Sequence, residues 1–406
     1  MKDNKVLGSS LLVAGTAIGA GMLALPVATG LSGFKYSSLL LFSVFAFMLL
    51  TLFYLLEANL FSNKIGANII TMVRDHFGPF YQGIAWVVFL LLLYTVAAAY
   101  ISAGGAIVGK LFQVSLLIEL APWVGVFMFF MFFGVLVVFG TAFVDGLNRV
   151  CMVALVVSFF ILCLSLFPHM ELKFFQGGSF KYTFAAVPVV VLSFTSHLIL
   201  PSLRTYLLGD VKKLKKVLFF GSLIPLVVYF LWEMFIFGVL PVGAGGFATI
   251  VKADQPVAAL AAVLAQKVDS HWIGAMVSCF SFFALITSFF GVALSLFDFL
   301  ADGLHIKKDL KGKISLLALM YIPPVIFALF YPKAFVVAIG YAGVFVAILY
   351  GIFPPLIVWK SRYIEKKEAS FRVFGGKPLI IFTFVGAFTI IALQVLSTWN
   401  LLPTAS

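Results

Sequence analysis

Residues 8–30 read GSSLLVAGTAIGAGMLALPVATG, and residues 185–203 read AAVPVVVLSFTSHLILPSL. Each lies in an apolar run able to cross a bilayer, which takes about 20 residues at 1.5 Å per residue. Each also interrupts itself near its middle. In the first, Gly15, Gly19 and Gly21 gather around Thr16 with Pro26 behind them. Such a stretch weakens a helix, and at membrane depth broken backbone is tolerated only where it is buried in protein or lines a cavity. Taken alone, Gly15 and Gly19 read rather as a GxxxG packing face between helices. In the second stretch, Pro188 and Pro201 flank Ser193-Phe194-Thr195-Ser196-His197, a polar cluster with an ionisable residue. A buried histidine satisfied by a neighbouring helix is the plain alternative. Polar and ionisable groups are costly at that depth, however, and their presence points to function.

Working outward, the rest of the 406-residue chain has the same character. Hydrophobic residues make up 63% and charged residues 10%, against roughly 45–50% and about 25% in soluble domains. There is too little polar surface for a water-soluble globule, so an all-α polytopic membrane protein is expected. Eleven spans are expected, near 7–31, 36–58, 81–108, 122–142, 149–167, 184–207, 216–240, 273–300, 314–330, 334–359 and 378–401. Tyr331, Pro332 and Lys333 must then form a tight turn between the ninth and tenth. The start, MKDNKVLGSSLLVAG, has the basic and apolar regions of a signal peptide but runs on to spanning length, and is expected to be an uncleaved first span.

Of the 27 Lys and Arg residues, 20 fall on one side of these spans and 7 on the other. The Lys/Arg-rich side is cytoplasmic by the positive-inside rule, which puts the N-terminus inside and the C-terminus outside. The net charge of +12 is therefore topological, and nothing in it asks for nucleic acid. The longest loop, about 241–272, holds the apolar stretch PVAALAAVLAQ, which reads either as a plain connector or as a lid, a short helix along the outer surface.

Soluble-enzyme motifs fail one by one. GGAIVGKL at 104–111 has Leu111 where a P-loop needs Ser or Thr, and Gly19-Ala20-Gly21-Met22-Leu23-Ala24 lacks the preceding strand of a dinucleotide fold. The five histidines are scattered without HExxH, there is no GxSxG, and Cys151, Cys163 and Cys279 lie inside apolar runs. No enzyme activity, cofactor or obligate protein partner is expected. A channel would show polar-lined pore helices or a repeated filter, and neither is visible.

The two interrupted spans are the first and the sixth. Since five is odd, a second set of five spans is inverted relative to the first, and breaks at corresponding places in inverted halves point to a transporter site at the midplane. The expected organisation is one transmembrane domain, with a first repeat at about 7–167, a second at about 184–359 and an extra span at about 378–401. Half-helix N-termini can receive a carboxylate through free N–H groups and the positive dipole end. By these features alone the chain is a secondary transporter for a small molecule with an anionic group.

GTAIGAGMLALP in the first span, DGLNR at 145–149, Tyr94 and Tyr100 within YxxxxxYIS at 94–102, ITSFFGVALSLFDFLAD at 286–302 and ALFYPKAFVVAIGYAGV at 328–344 resemble the bacterial aromatic amino acid permease family of the amino acid permease superfamily. The resemblance covers essentially the whole chain. It implies the leucine-transporter-like fold, a five-plus-five inverted repeat with discontinuous helices one and six and an eleventh span. It also implies symport of tyrosine, or of tryptophan or another amino acid, with a cation. Two departures from the family pattern stand out. Thr195 and Ser196 stand where the sixth-span break is Gly-rich, and Leu155 replaces a fifth-span Lys that takes the place of a sodium ion in proton-coupled relatives.

Candidate substrate-binding residues are Gly15, Thr16, Ala17, Gly19, Ala20 and Gly21 in the first span, Tyr94 and Tyr100 in the third, and Ser193, Phe194, Thr195, Ser196 and His197 in the sixth. Candidates for the coupling ion are Gly15, His197, Glu233, Thr287 and Ser288. Thr287 and Ser288 either ligate sodium beside first-span carbonyls or bond back to their own helix. Glu233, two thirds of the way out along the seventh span, either carries a proton or faces an external vestibule. Glu57, Asp298 and Asp302, at cytoplasmic span ends, are expected in inner-gate or loop ion pairs.

Overall fold

The computed structural model describes residues 3–403 apart from Asn63, Leu117, Gly140, Asp254 and 331–333. The expected tight turn at Tyr331, Pro332 and Lys333 thus lies outside the described residues. Within them the secondary structure is helical throughout, without a strand. In lipid this follows from the need of every backbone N–H and C=O for an internal partner.

The first span is broken as its glycines predict. Helix α1 (Asp3–Ala17) and helix α2 (Ala20–Thr29) meet at Ile18 and Gly19 with a bend of 53°. There follow α3 (Phe34–Phe61), the short amphipathic α4 (Ile69–Phe77) and α5 (Pro79–Leu116). Asn68 caps α4 by accepting from the Thr71 N–H at 2.9 Å. At 38 residues, α5 extends about 57 Å, well beyond a hydrocarbon core of about 30 Å.

The fourth expected span is different. Helix α6 (Pro122–Phe129) gives way to a wider π turn over Phe130–Gly134 and then to a 3-10 turn at Val137–Phe139. The Tyr321 hydroxyl donates to the Gly134 carbonyl at 3.3 Å, at the end of the π turn. The apolar helix here, Pro122–Gly134, is short of spanning length.

Helix α7 (Thr141–Leu166) precedes the second broken span, made of α8 (Thr183–Ser193), a 3-10 turn at His197–Ile199 and α9 (Leu200–Tyr206). Asp210 caps α10 (Val211–Val239). The segment 241–272 forms two helices, α11 (Phe247–Lys252) and α12 (Pro256–Val268), so it is more than a plain connector, and α12 packs on α13 (His271–Gly303). Helices α14 (Leu310–Phe330), α15 (Ala334–Val346), α16 (Phe353–Trp359) and α17 (Gly376–Thr398) complete the chain. Between α15 and α16 the winding widens to π over Ala347–Ile352, because Pro354 and Pro355 have no N–H for the carbonyls of Tyr350 and Gly351.

Among the described residues nine helices are long and apolar enough to cross a membrane, ten if the bent pair α1 and α2 counts as one span. The broken elements sit at the centre: α1 packs on α10, α2 on α8 and α10, and α8 on α3, α15 and α17. Most buried side chains are apolar, and the buried polar ones at this centre include Ser193, Thr195, Ser196, His197 and Glu233.

Candidate functional site

The N-terminus of α2 opens directly on the first break. No side chain caps it at Gly19, and the first N–H groups of a helix have no partner within it. The three glycines face three different helices. A Cβ on Gly15 would lie 3.6 Å from Met152 of α7, one on Gly19 would collide with Ser288 of α13, and one on Gly21 would lie 2.9 Å from the Ser193 hydroxyl of α8. This is a junction rather than the single stripe that a GxxxG packing face requires. Thr16 is exposed and donates to its own helix at the Leu12 carbonyl, 2.8 Å away. The Ala17 carbonyl ends α1, and Ala20 opens α2.

At the second break, Ser193 and Thr195 donate back to the Val189 and Val191 carbonyls at 3.0 and 3.1 Å. Phe194 and Ser196 are buried, and the Phe194 ring meets Tyr229 edge-on at 5.3 Å. His197 is 1% exposed and stacks on Tyr350 at 4.7 Å. Its Nε2 lies 2.9 Å from Thr51 Oγ1, while that hydroxyl donates to the Met48 carbonyl at 2.9 Å. Thr51 thus links the imidazole of span six to the backbone of α3. Nδ1 has no hydrogen-bond partner among the described residues. His197 also borders a cavity of about 190 Å³, with Pro201, Asn68, Phe89, Phe299 and Tyr350 among its walls. At ~30 Å³ per water that is room for about six. The cavity lies toward the Lys- and Arg-rich loops.

Span seven supplies what the sequence reading missed. The Tyr229 hydroxyl donates to the Ala17 carbonyl at 2.7 Å and to the Ser193 carbonyl at 2.9 Å. One turn further, Trp232 Nε1–H donates to the Met22 carbonyl at 3.0 Å. Glu233 is completely buried; its carboxyl accepts from Thr29 at 2.7 Å and also from Ser37. The vestibule reading of Glu233 is therefore replaced by an enclosed carboxyl held by hydroxyls of α2 and α3. The spacing 229, 232, 233 lays these side chains on one helix face, a signal visible in sequence but diluted by the 17% aromatic content.

The remaining candidates divide. Tyr100 is hydrogen-bonded with Ser288, which brings span three to the first break beside Gly19. Thr287 donates to the Phe283 and Ala284 carbonyls at 2.9 and 3.2 Å, and Ser288 to the Ala284 carbonyl at 2.9 Å. Both hydroxyls thus bond back to their own helix, leaving oxygen lone pairs rather than protons for any cation. Tyr94 is not brought to either break: its hydroxyl donates to the Leu319 carbonyl of α14 at 2.8 Å. At the Lys- and Arg-rich end, Glu57 pairs with Arg362, whose Nε lies 2.5 Å from Oε1, and Asp298 pairs with Lys308 at 2.7 Å.

Known proteins agree with this picture. The chain matches the tryptophan/tyrosine permease family over residues 2–394. It is 36% identical to tyrosine-specific transport system 1 of Haemophilus influenzae, covering 94% of both chains. It is 32% identical to tyrosine-specific transport system 2 of the same organism, over the whole of both. With the tryptophan-specific transport protein of Haemophilus influenzae it shares 31% identity over 96% of each chain. A multi-pass helical membrane protein with two broken spans meeting at its centre, matched to that family over nearly its whole length, belongs to the tryptophan/tyrosine permease family.

Proposed function

We propose that this chain imports an aromatic amino acid, tyrosine foremost, by cation symport with alternating access. In this reading the fold is the five-plus-five inverted repeat with an extra span, oriented with its N-terminus inside the inner membrane. The observation that carries it is the meeting of the two breaks, where the uncapped N-terminus of α2 lies against Ser193 of α8 and Ser288 of α13. The α2 N–H groups and dipole receive the substrate carboxylate. Phe194 and Tyr100, beside the two breaks, are the side chains proposed to wall the aromatic ring. Glu233 or His197 carries the proton; in a sodium-coupled version, Thr287 and Ser288 hold the ion with the Gly15 region. The 36% identity to a tyrosine system supports tyrosine as the first substrate to test, while tryptophan carriers at 31% and 32% identity keep indole as the second.

The deciding experiment is uptake of labelled tyrosine into proteoliposomes under separately imposed proton and sodium gradients, with unlabelled tryptophan and phenylalanine as competitors. Accumulation driven by one gradient and inhibited by aromatic amino acids is expected. Accumulation with no gradient at all would remove the secondary-transport reading.

A further inference from the structure

Tyr229 has no place among the walls of the cavity beside His197, yet it touches both breaks. Ala17 is the last residue of α1, and Ser193 is the last residue of α8. Their carbonyls belong to the group that a helix C-terminus leaves without intrahelical partners, and both carry the negative end of a helix dipole. Two such ends drawn together repel each other unless something positive stands between them. Here the partner is one hydroxyl proton, shared at 2.7 and 2.9 Å. The side chain that carries it is 0% exposed and is held edge-on by Phe194. Trp232, on the same face of α10, grips the half of span one that lies beyond the break through the Met22 carbonyl.

From this geometry we infer that Tyr229 is a positioning residue: its hydroxyl ties the break of span one to the break of span six, so that the two move together and the substrate site between them keeps its shape. The inference rests on the aromatic amino acid reading above only for its effect on affinity. The tie itself is independent of the substrate. Trp232 has the lesser part, because its N–H reaches span one alone.

The test compares Tyr229→Phe and Trp232→Phe with the wild type, full-length and purified. Tyr229→Phe removes one oxygen and keeps the ring packed on Phe194. Hydrogen–deuterium exchange is expected to accelerate together at residues 17–21 and 193–197 in Tyr229→Phe, and only at the first of these in Trp232→Phe. In the same Tyr229→Phe protein, Kd and KM for tyrosine should rise at least ten-fold, with a smaller fall in the maximal exchange rate. Acceleration at one break alone, or at neither, in Tyr229→Phe overturns the inference. So does a melting temperature that falls while KM stays within two-fold of wild type, since that assigns the hydroxyl to stability only. If wild type binds no aromatic amino acid, the substrate reading fails and the exchange data still decide the tie.

Discussion

Replacing Gly21 by alanine probes the junction of the two broken spans with a single methyl group. Built on the existing backbone, that methyl lies 2.9 Å from the Ser193 hydroxyl oxygen, 3.2 Å from the Ser193 Cα and 3.3 Å from its Cβ. Ordinary contact needs about 3.6–4 Å, so α2 and α8 must separate by several tenths of an ångström. Ser193 cannot swing away freely, because its hydroxyl is bonded to the Val189 carbonyl and its own carbonyl receives Tyr229. Overpacking of this kind costs about 1–3 kcal/mol, or about five- to 150-fold in an equilibrium constant. The expected result is a rise in KM for tyrosine uptake within that range, in a protein that still inserts and remains monodisperse in detergent. Ser193→Gly in the Gly21→Ala background removes the hydroxyl and Cβ contacts and should recover part of the loss, leaving the residue due to the Cα. Affinity unchanged in Gly21→Ala, or no recovery in the double variant, would refute the claim that the breaks are in contact through these residues.

The buried Glu57–Arg362 pair also receives the Val373 N–H at 2.8 Å on Oε2; Glu57→Gln should destabilise the protein by about 3–5 kcal/mol, because it strands a buried cation. Equilibrium unfolding in mixed detergent and SDS micelles measures this, and Glu57→Met with Arg362→Met should lie much closer to wild type than the single variant. Cysteines placed at the exposed Lys212, Lys307 and Lys367, in a background without Cys151, Cys163 and Cys279, should resist membrane-impermeant thiol reagents applied outside intact cells; ready labelling of all three would invert the topology. Proton coupling predicts that Glu233→Gln or His197→Gln abolishes accumulation driven by a pH gradient while Thr287→Ala leaves uptake nearly intact. Sodium coupling predicts the reverse, with Thr287→Ala raising the sodium concentration needed for half-maximal uptake.

Local chemistry made much of this protein legible without coordinates. Whether a stretch of about 20 residues prefers hydrocarbon depends on its own side chains, so the apolar runs and the imbalance of Lys and Arg between loops could be read directly. The same holds for the two interruptions, since Gly15, Gly19, Gly21, Pro188 and Pro201 act on the backbone of their own segment. The fourth span departs from regular helix, with a π turn at Phe130–Gly134 and a 3-10 turn at Val137–Phe139, and hydropathy does not register how a segment winds. Tertiary structure alone decided which partners meet. Tyr229 and Ala17 are 212 positions apart, Glu57 and Arg362 are 305, and Thr29 and Glu233 are 204. The 229, 232, 233 spacing shows a shared helix face, but no local window tells whether Tyr229 bonds or only packs, or whether Glu233 is enclosed or faces a vestibule. A hydrogen bond depends on positions to within a few tenths of an ångström, and those positions are set by how every helix packs on its neighbours, not by the composition of any one of them.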